Sequence, residues 1–162
     1  MVFSLSQNLK GCRLWAIYAK NNLSLSTLDE TSQNFIRKTL ENFFSQSNSM
    51  LSGWSLMGYN STVDQTGIFV QRSSIPAIQD SSAYWTAVNN ILNNNHFKIG
   101  MGHLRMASSG ASNVPNPHPW TLLKDSTLFS LIHNGTLNKE MIHNLITNNG
   151  QDLSWLEENN PQ

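Results

Sequence analysis

The chain has 162 residues, with ten basic and ten acidic side chains that cancel to a formal net charge of zero. Charged residues make up only 12% of the sequence, so it lacks the basic surface typical of nucleic-acid binders. No apolar run approaches the ~20 residues of a membrane-spanning helix, and residues 1–11 lack the basic start of a signal peptide. These features predict one cytoplasmic domain with no nucleic-acid or membrane partner.

The first elements predicted along the chain are a strand and an amphipathic helix. Cys12–Ala19 is apolar and rich in aromatic residues, which favours a strand. Ser26 or Thr27 is expected to cap the helix, and Asp29 or Glu30 would complete a capping box. The apolar stripe of this helix, expected to lie in the core, comprises Leu28, Phe35, Ile36, Leu40, Phe43 and Phe44.

The middle of the chain predicts a hairpin followed by a second helix. Gly53–Tyr59 and Gly67–Gln71 read as two strands joined by a polar turn. Asp80 or Ser81 can then cap a helix. Its apolar face comprises Tyr84, Trp85, Val88, Ile91 and Leu92.

Two strands and a helix are predicted in the last third of the chain. Phe97–Ala107 is the first strand, and a loop rich in Pro and Gly follows over Ser108–Trp120. Loops of this length are uncommon and often functional. Leu128–His133 reads as the second strand, and Thr136 or Asn138 can cap the helix. The order of elements predicts an α+β domain with a substantial antiparallel component.

Cys12 is the only cysteine, so it cannot form an internal disulfide. On its own it is either a small buried hydrophobe or a nucleophile. His103, His118 and His133 match no compact zinc spacing, so no metal site is expected.

Two further features are ambiguous when each is taken alone. Arg105 is either a surface arginine or an anion-binding group. The dipeptide Asn134–Gly135 is either a plain hairpin turn or part of a site.

In combination, these segments resemble the class II glutamine amidotransferases, whose N-terminal-nucleophile (Ntn) hydrolase domain begins with a catalytic cysteine. The matching region extends from Cys12 to about Leu145, with family-like order and spacing. It comprises Cys12-Arg13-Leu14-Trp15, Gly53-Trp54, Gly102-His103-x-Arg105-x-Ala107-Ser108-x-Gly110, Asn116-x-His118-Pro119 and His133-Asn134-Gly135-Thr136-Leu137.

The resemblance implies a four-layer αββα sandwich of mostly antiparallel sheets and a glutaminase reaction without a cofactor. Cys12 would attack the side-chain amide of glutamine and form a thioester. Asn134 and Gly135 would stabilise the oxyanion. Arg105 would bind the α-carboxylate of glutamine, and His118 would be a substrate-binding residue with a positional role, not a base.

The resemblance also sets the domain boundaries. An N-terminal cysteine uses its own α-amino group as the base, so residues 1–11 are expected to be a leader or propeptide that is removed. Residues 12–162 would form the amidotransferase domain. Its C-terminal part is expected to be missing, because the family's Asp-Ser-Glu-like stretch, which binds the α-amino group of glutamine, lies beyond this region.

A synthase partner could accept the ammonia. Two alternatives remain open. One is a catalytically silent amidotransferase-like module with a binding or regulatory role, and the other is an Ntn amidohydrolase that acts on another amide.

Overall fold

The computed structural model describes residues 3–4, 11–60, 67–93, 97–107, 117–125, 127–135 and 138–154. Within these residues the protein combines α-helices with antiparallel sheets, which confirms the predicted α+β class. No helix in this part of the chain has both the length and the apolar character needed to cross a membrane.

A five-stranded antiparallel sheet forms the centre of the fold. Its strands are β1 (Phe3–Ser4), β2 (Arg13–Tyr18), β3 (Trp54–Tyr59), β4 (Ile68–Ser73) and β5 (Ile99–Leu104), in the order β1-β2-β5-β3-β4. The predicted β2, the hairpin of β3 with β4, and β5 are all confirmed, although β5 is shorter than expected. The pairing of β1 with β2 was not predicted.

Two helices, α1 (Glu30–Ser45) and α2 (Ser81–Asn93), supply apolar side chains to the core on one face of this sheet. Side chains that alternate along β3 reach this layer, so Trp54 and Leu56 are fully buried. The Trp54 ring meets the Tyr84 ring of α2 edge to face, with 5.3 Å between their centroids. Short 3₁₀ turns at Leu25–Thr27 and Gln46–Asn48 flank α1.

The predicted cap of α1 is wrong. The helix begins at Glu30 because the Asp29 carboxylate accepts the Ser32 N–H at 2.9 Å. Hydrogen bonds from Ser32 also lower the pKa of Asp29. Ser26 and Thr27 belong instead to the preceding 3₁₀ turn.

The predicted apolar stripe of α1 is only partly buried. Leu28 precedes the helix and is exposed, and the side chain of Phe35 is 61% exposed. Ile36, Leu40 and Phe43 lie in the core, and Phe44 packs against it. The stripe that contacts the sheet is therefore narrower than the apolar pattern of the sequence.

A two-stranded hairpin lies over the opposite face of the central sheet. It consists of β6 (Trp120–Lys124) and β7 (Thr127–Leu131), and the Ser130 hydroxyl donates to the Met57 sulfur of β3 at 3.2 Å. The strand predicted at Leu128–His133 corresponds to β7. The assignment of Trp120 to a loop is wrong, because it begins β6.

The last described helix, α3 (Lys139–Ile146), begins where one of the two predicted caps lies. The Asn138 side chain accepts the Met141 N–H at 3.1 Å, which satisfies one of the free N–H groups of the first turn. The other predicted cap, Thr136, lies outside the described residues.

A close approach between β2 and β5 determines which residue fits at position 102. Gly102 is directly opposite Trp15, whose side chain is only 2% exposed. A Cβ atom at position 102 would overlap the Trp15 indole and approach the Leu56 side chain at 2.9 Å. The indole therefore lies over a strand position that has room only for glycine.

Gly102→Ala should destabilise the fold, because overpacking a core typically costs about 1–3 kcal/mol. Urea denaturation would measure the loss in free energy of unfolding. In a Trp15→Leu background the same glycine substitution should cost less, since the smaller side chain leaves space. An equal cost in both backgrounds would show that the indole contact is not the cause.

Candidate functional site

Cys12 lies just before β2, beside the end of β5. Its thiol contacts the backbone of Met106, whose N–H donates to Cys12 Sγ at 3.5 Å and whose carbonyl lies 3.7 Å from the same atom. Cys12 is only partly buried and lies outside the cluster of buried core residues. The interpretation of Cys12 as a buried hydrophobe is therefore wrong.

The Asn134 side chain lies against Cys12, although 122 positions separate the two residues. Asn134 Nδ2 donates to the Cys12 carbonyl at 2.7 Å. On the other side of the Asn134 amide, a Cβ atom at Gly11 would lie 3.1 Å from Oδ1. The structure thus brings together two residues that come from separate motifs.

Asn134 and Gly135 do not form a plain hairpin turn, so that alternative is wrong. They lie between β7 and α3, whereas the hairpin strands β6 and β7 end at Lys124 and begin at Thr127. Gly135 has φ of +146°, a conformation that L-residues with a side chain rarely adopt. A Cβ atom at Gly135 would also lie 3.2 Å from the His133 ring. Glycine therefore suits this position on two separate grounds.

Two stacked histidine rings link β5 to the segment of Asn134 and Gly135, which is the turn of the candidate site. The rings of His103 and His118 are nearly parallel, at 5°, with their centroids 4.5 Å apart. The His118 N–H donates to His103 Nδ1 at 2.9 Å, and the His133 N–H donates to His118 Nδ1 at 3.1 Å. Trp120 packs on His118 with a centroid distance of 3.9 Å. His118 is thus held by its backbone, its ring faces and its Nδ1 atom.

Arg105 is the first residue after β5, and Leu104 just before it pairs with Arg13, the residue after Cys12. Its side chain is only 6% exposed, so the interpretation as a surface arginine is wrong. The Arg105 N–H donates to the Gly53 carbonyl at 2.9 Å, and its own carbonyl accepts the Ser52 N–H at 3.1 Å. These bonds continue the pairing of β3 with β5 beyond the ends of the strands.

Burial, with smaller contributions in the same direction from the nearby His118 and Arg105, lowers the pKa of His103 to about 3. Burial also lowers the pKa of His118. Because His103 Nδ1 accepts a hydrogen bond, we infer that the proton of the neutral ring is on Nε2. Within the described part of the chain, that Nε2 atom is buried without a hydrogen-bond partner.

Among the described residues, no group of three or more His, Cys, Asp and Glu side chains is arranged to hold a metal ion. The Nδ1 atoms of His103 and His118 instead accept backbone N–H groups. Some motif residues lie outside the described ranges, namely Ser108, Gly110, Asn116, Thr136 and Leu137.

Two arginines near the site were given no role in the sequence analysis. Arg13 donates from Nη1 to the Gly11 carbonyl at 2.6 Å and from Nε to Gln46 at 2.7 Å. Arg13 belongs to the Cys12-Arg13-Leu14-Trp15 motif, so the sequence indicated its position but not its contacts. Arg72 donates to the carbonyls of Pro117 and Pro119. No sequence pattern points to Arg72, because its partners are backbone atoms far along the chain.

Comparison of the chain with protein-family models, with curated proteins and with solved structures finds no match in any of the three. The functional assignment of this site therefore depends on its residues and their arrangement.

Stability should decrease as the pH falls below about 6.5, the ordinary pKa of histidine. Below that pH the unfolded chain binds a proton at His103 that the folded chain binds only near pH 3. For the His103 proton the free energy of unfolding should fall by at most ~1.4 kcal/mol per pH unit, and His118 acts in the same direction with a smaller effect.

Urea denaturation between pH 7 and about 4.5 would measure this slope, in a range above the ordinary pKa of the carboxylates. Asp29 and Asp152, whose pKa values are lowered, also stay ionised there. His103→Gln should reduce the pH dependence of the free energy of unfolding by the equivalent of up to one bound proton. If His103→Gln showed the same pH dependence of unfolding as the parent protein, His103 would not be a buried, neutral ring in the folded state.

Proposed function

We propose that the chain carries a class II glutamine amidotransferase domain, which releases ammonia from glutamine through Cys12. The observation that carries this proposal is the contact between Asn134 Nδ2 and the Cys12 carbonyl at 2.7 Å. It supports a site in which a nucleophile and an oxyanion donor lie side by side. Arg105 is buried and follows Leu104, the strand partner of Arg13, so it would supply a cation near Cys12.

The fold that we propose for the domain is the Ntn-hydrolase αββα sandwich. The layer of α1 and α2, the five-stranded sheet and the β6–β7 hairpin on its opposite face support three successive layers of that arrangement. The helix α3 follows the hairpin and would contribute to the fourth layer.

Activity requires Cys12 to be the first residue, because an amide nitrogen cannot accept the thiol proton. Arg13 donates to the Gly11 carbonyl at 2.6 Å, which would polarise the peptide bond that must break. In a self-cleavage step, Cys12 Sγ adds to the Gly11 carbonyl carbon. The C–N bond then breaks, and the nitrogen of Cys12 takes a proton and becomes a free amine. Water hydrolyses the resulting thioester and releases the leader with Gly11 as its last residue.

In the glutaminase reaction, the free amine of Cys12 takes the thiol proton, and Sγ attacks the side-chain amide carbon of glutamine. The Asn134 amide and the Gly135 N–H would donate to the oxyanion. The amine returns the proton to the departing nitrogen, which leaves as ammonia. Water then hydrolyses the thioester to glutamate and restores the thiol.

Two residues would hold the substrate and the turn during these steps. The planar guanidinium of Arg105 can pair with the α-carboxylate of glutamine through two hydrogen bonds. His118 would keep a positional role, because its Nδ1 atom already accepts the His133 N–H. A synthase partner that takes up the ammonia would complete the biological reaction.

One observation favours the silent module as a second candidate function. Phe3 and Ser4 of β1 pair with Ala16 and Trp15 at the edge of the central sheet. A leader that extends the sheet has a structural role, and its retention would leave Cys12 without a free amine. The state of the N-terminus therefore separates the two candidates.

The mature protein should begin at Cys12, and intact-mass measurement of the purified chain would detect the loss of residues 1–11. An electrophilic analogue of glutamine should then label Cys12, glutamine should block the labelling, and Cys12→Ala should abolish it. A folded chain that retains Met1, hydrolyses no glutamine and resists labelling would support the silent module. Hydrolysis of a different amide in a substrate screen would indicate an amidohydrolase.

Asn134→Ala and Arg105→Lys should affect different kinetic constants. Loss of the Asn134 amide should lower kcat by ~10²–10³ with little effect on KM, because it removes an oxyanion donor. Lysine at position 105 cannot form the two parallel hydrogen bonds, so KM for glutamine should rise. Asn144→Ala, on α3, is the matched control and should leave both constants unchanged. A fall in kcat of the same size in both site variants would contradict these roles.

A further inference from the structure

Arg72, on β4, binds the backbone on both sides of His118. Its Nε atom donates to the Pro117 carbonyl at 3.2 Å, and its Nη2 atom donates to the Pro119 carbonyl. A planar guanidinium presents such donors in a fixed geometry. One side chain therefore holds the segment at the residue before His118 and at the residue after it.

The two prolines on either side of His118 limit the hydrogen bonds that this segment can make through its own backbone. Pro117 and Pro119 have no backbone N–H, so neither can donate to a neighbouring strand. The His118 N–H, which lies between them, donates to His103 Nδ1 at 2.9 Å. Arg72 and His103 thus hold this short segment from two different strands.

The strand register explains how both anchors reach the same segment. Ser55 of β3 is paired with Arg72 of β4 on one side and with His103 of β5 on the other. Directly opposed residues project from the same face of an antiparallel sheet. All three side chains therefore lie on the face that carries the β6–β7 hairpin, with the His118 segment above them.

A further hydrogen bond connects His118 to the turn of the candidate site. His118 Nδ1 accepts the His133 N–H at 3.1 Å, and Asn134 and Gly135 come next in the chain. A change in the orientation of the His118 ring would release this bond at the residue that leads into the turn. The turn is therefore connected to β4 through one histidine ring and one guanidinium.

We propose that Arg72 is a positioning residue of this site, which fixes the Asn134–Gly135 turn through His118. The effect on glutamine hydrolysis depends on the proposed function, whereas the effect on the turn does not. Arg72 is exposed apart from these two contacts, so its replacement should change the position of the segment without unfolding the protein.

Amide hydrogen exchange of the His133 N–H, followed by NMR in the full chain, tests the proposal. Arg72→Gln should make this amide exchange about tenfold faster, since opening of the hydrogen bond sets local protection. Arg37→Gln, on the exposed side of α1, is the matched control and should leave the rate unchanged. Arg72→Lys should lie between the two, and it replaces Arg72→Gln as the test variant if that protein does not fold.

A double-mutant cycle shows whether the effect passes through His118. In a His118→Ala background, Arg72→Gln should cause no further change in exchange at His133. The proposal is overturned if Arg72→Gln leaves exchange at His133 unchanged, or if it changes exchange equally with and without the His118 ring.

A kinetic measurement keeps the two proposals separate. With protein that hydrolyses glutamine, Arg72→Gln should lower kcat by about tenfold and leave KM almost unchanged, as expected for a misplaced donor. If the parent protein hydrolyses no glutamine, the proposed function fails, and the exchange measurement still decides the role of Arg72.

Discussion

The antiparallel pairing of β2 with β5 is the interaction on which the candidate site depends. It sets Arg13 against Leu104, so that Cys12 lies beside the backbone that carries Arg105 and Met106. The pairing is possible at this close distance because β5 has glycine where the Trp15 indole crosses it. A packing requirement in the core thus brings together the backbone segments that carry Cys12 and Arg105, which are far apart in the sequence.

The central sheet separates two kinds of packing. Toward α1 and α2 it presents large apolar side chains such as Leu56, whereas toward the hairpin it presents Ser55, Arg72 and His103. Burial of polar groups is costly unless they find partners, and the His118 N–H provides one for His103. The same burial keeps the His103 ring neutral, so that it can accept this bond. Burial of His103 on this face therefore helps to hold the His118 segment, which in turn contacts the residue before the turn.

The sequence alone was sufficient for features that depend on local patterns. Alternation and helical periodicity located most of the central sheet and the helices, and Asn138 was among the predicted caps. The cap of α1 was missed because Ser26 and Thr27 form part of a 3₁₀ turn before the helix. The exposure of Phe35 was missed because packing against the sheet, not the apolar pattern, determines which side chains of the helix are buried. Arg72 could not be predicted, because its partners are carbonyls that only the folded chain brings within reach.

The site divides its residues into an open group and a buried group. Asn134 and Gly135 are exposed and Cys12 is partly exposed, whereas His103 and Arg105 are buried. This division suits a site in which donors must be in place before a substrate arrives, because buried contacts restrict motion better than contacts at the surface. Two hydrogen bonds then position the exposed turn. The His133 N–H donates to His118 Nδ1, and the Asn134 side chain donates to the Cys12 carbonyl. The geometry of the nucleophile and that of the oxyanion donors are consequently coupled through a few hydrogen bonds.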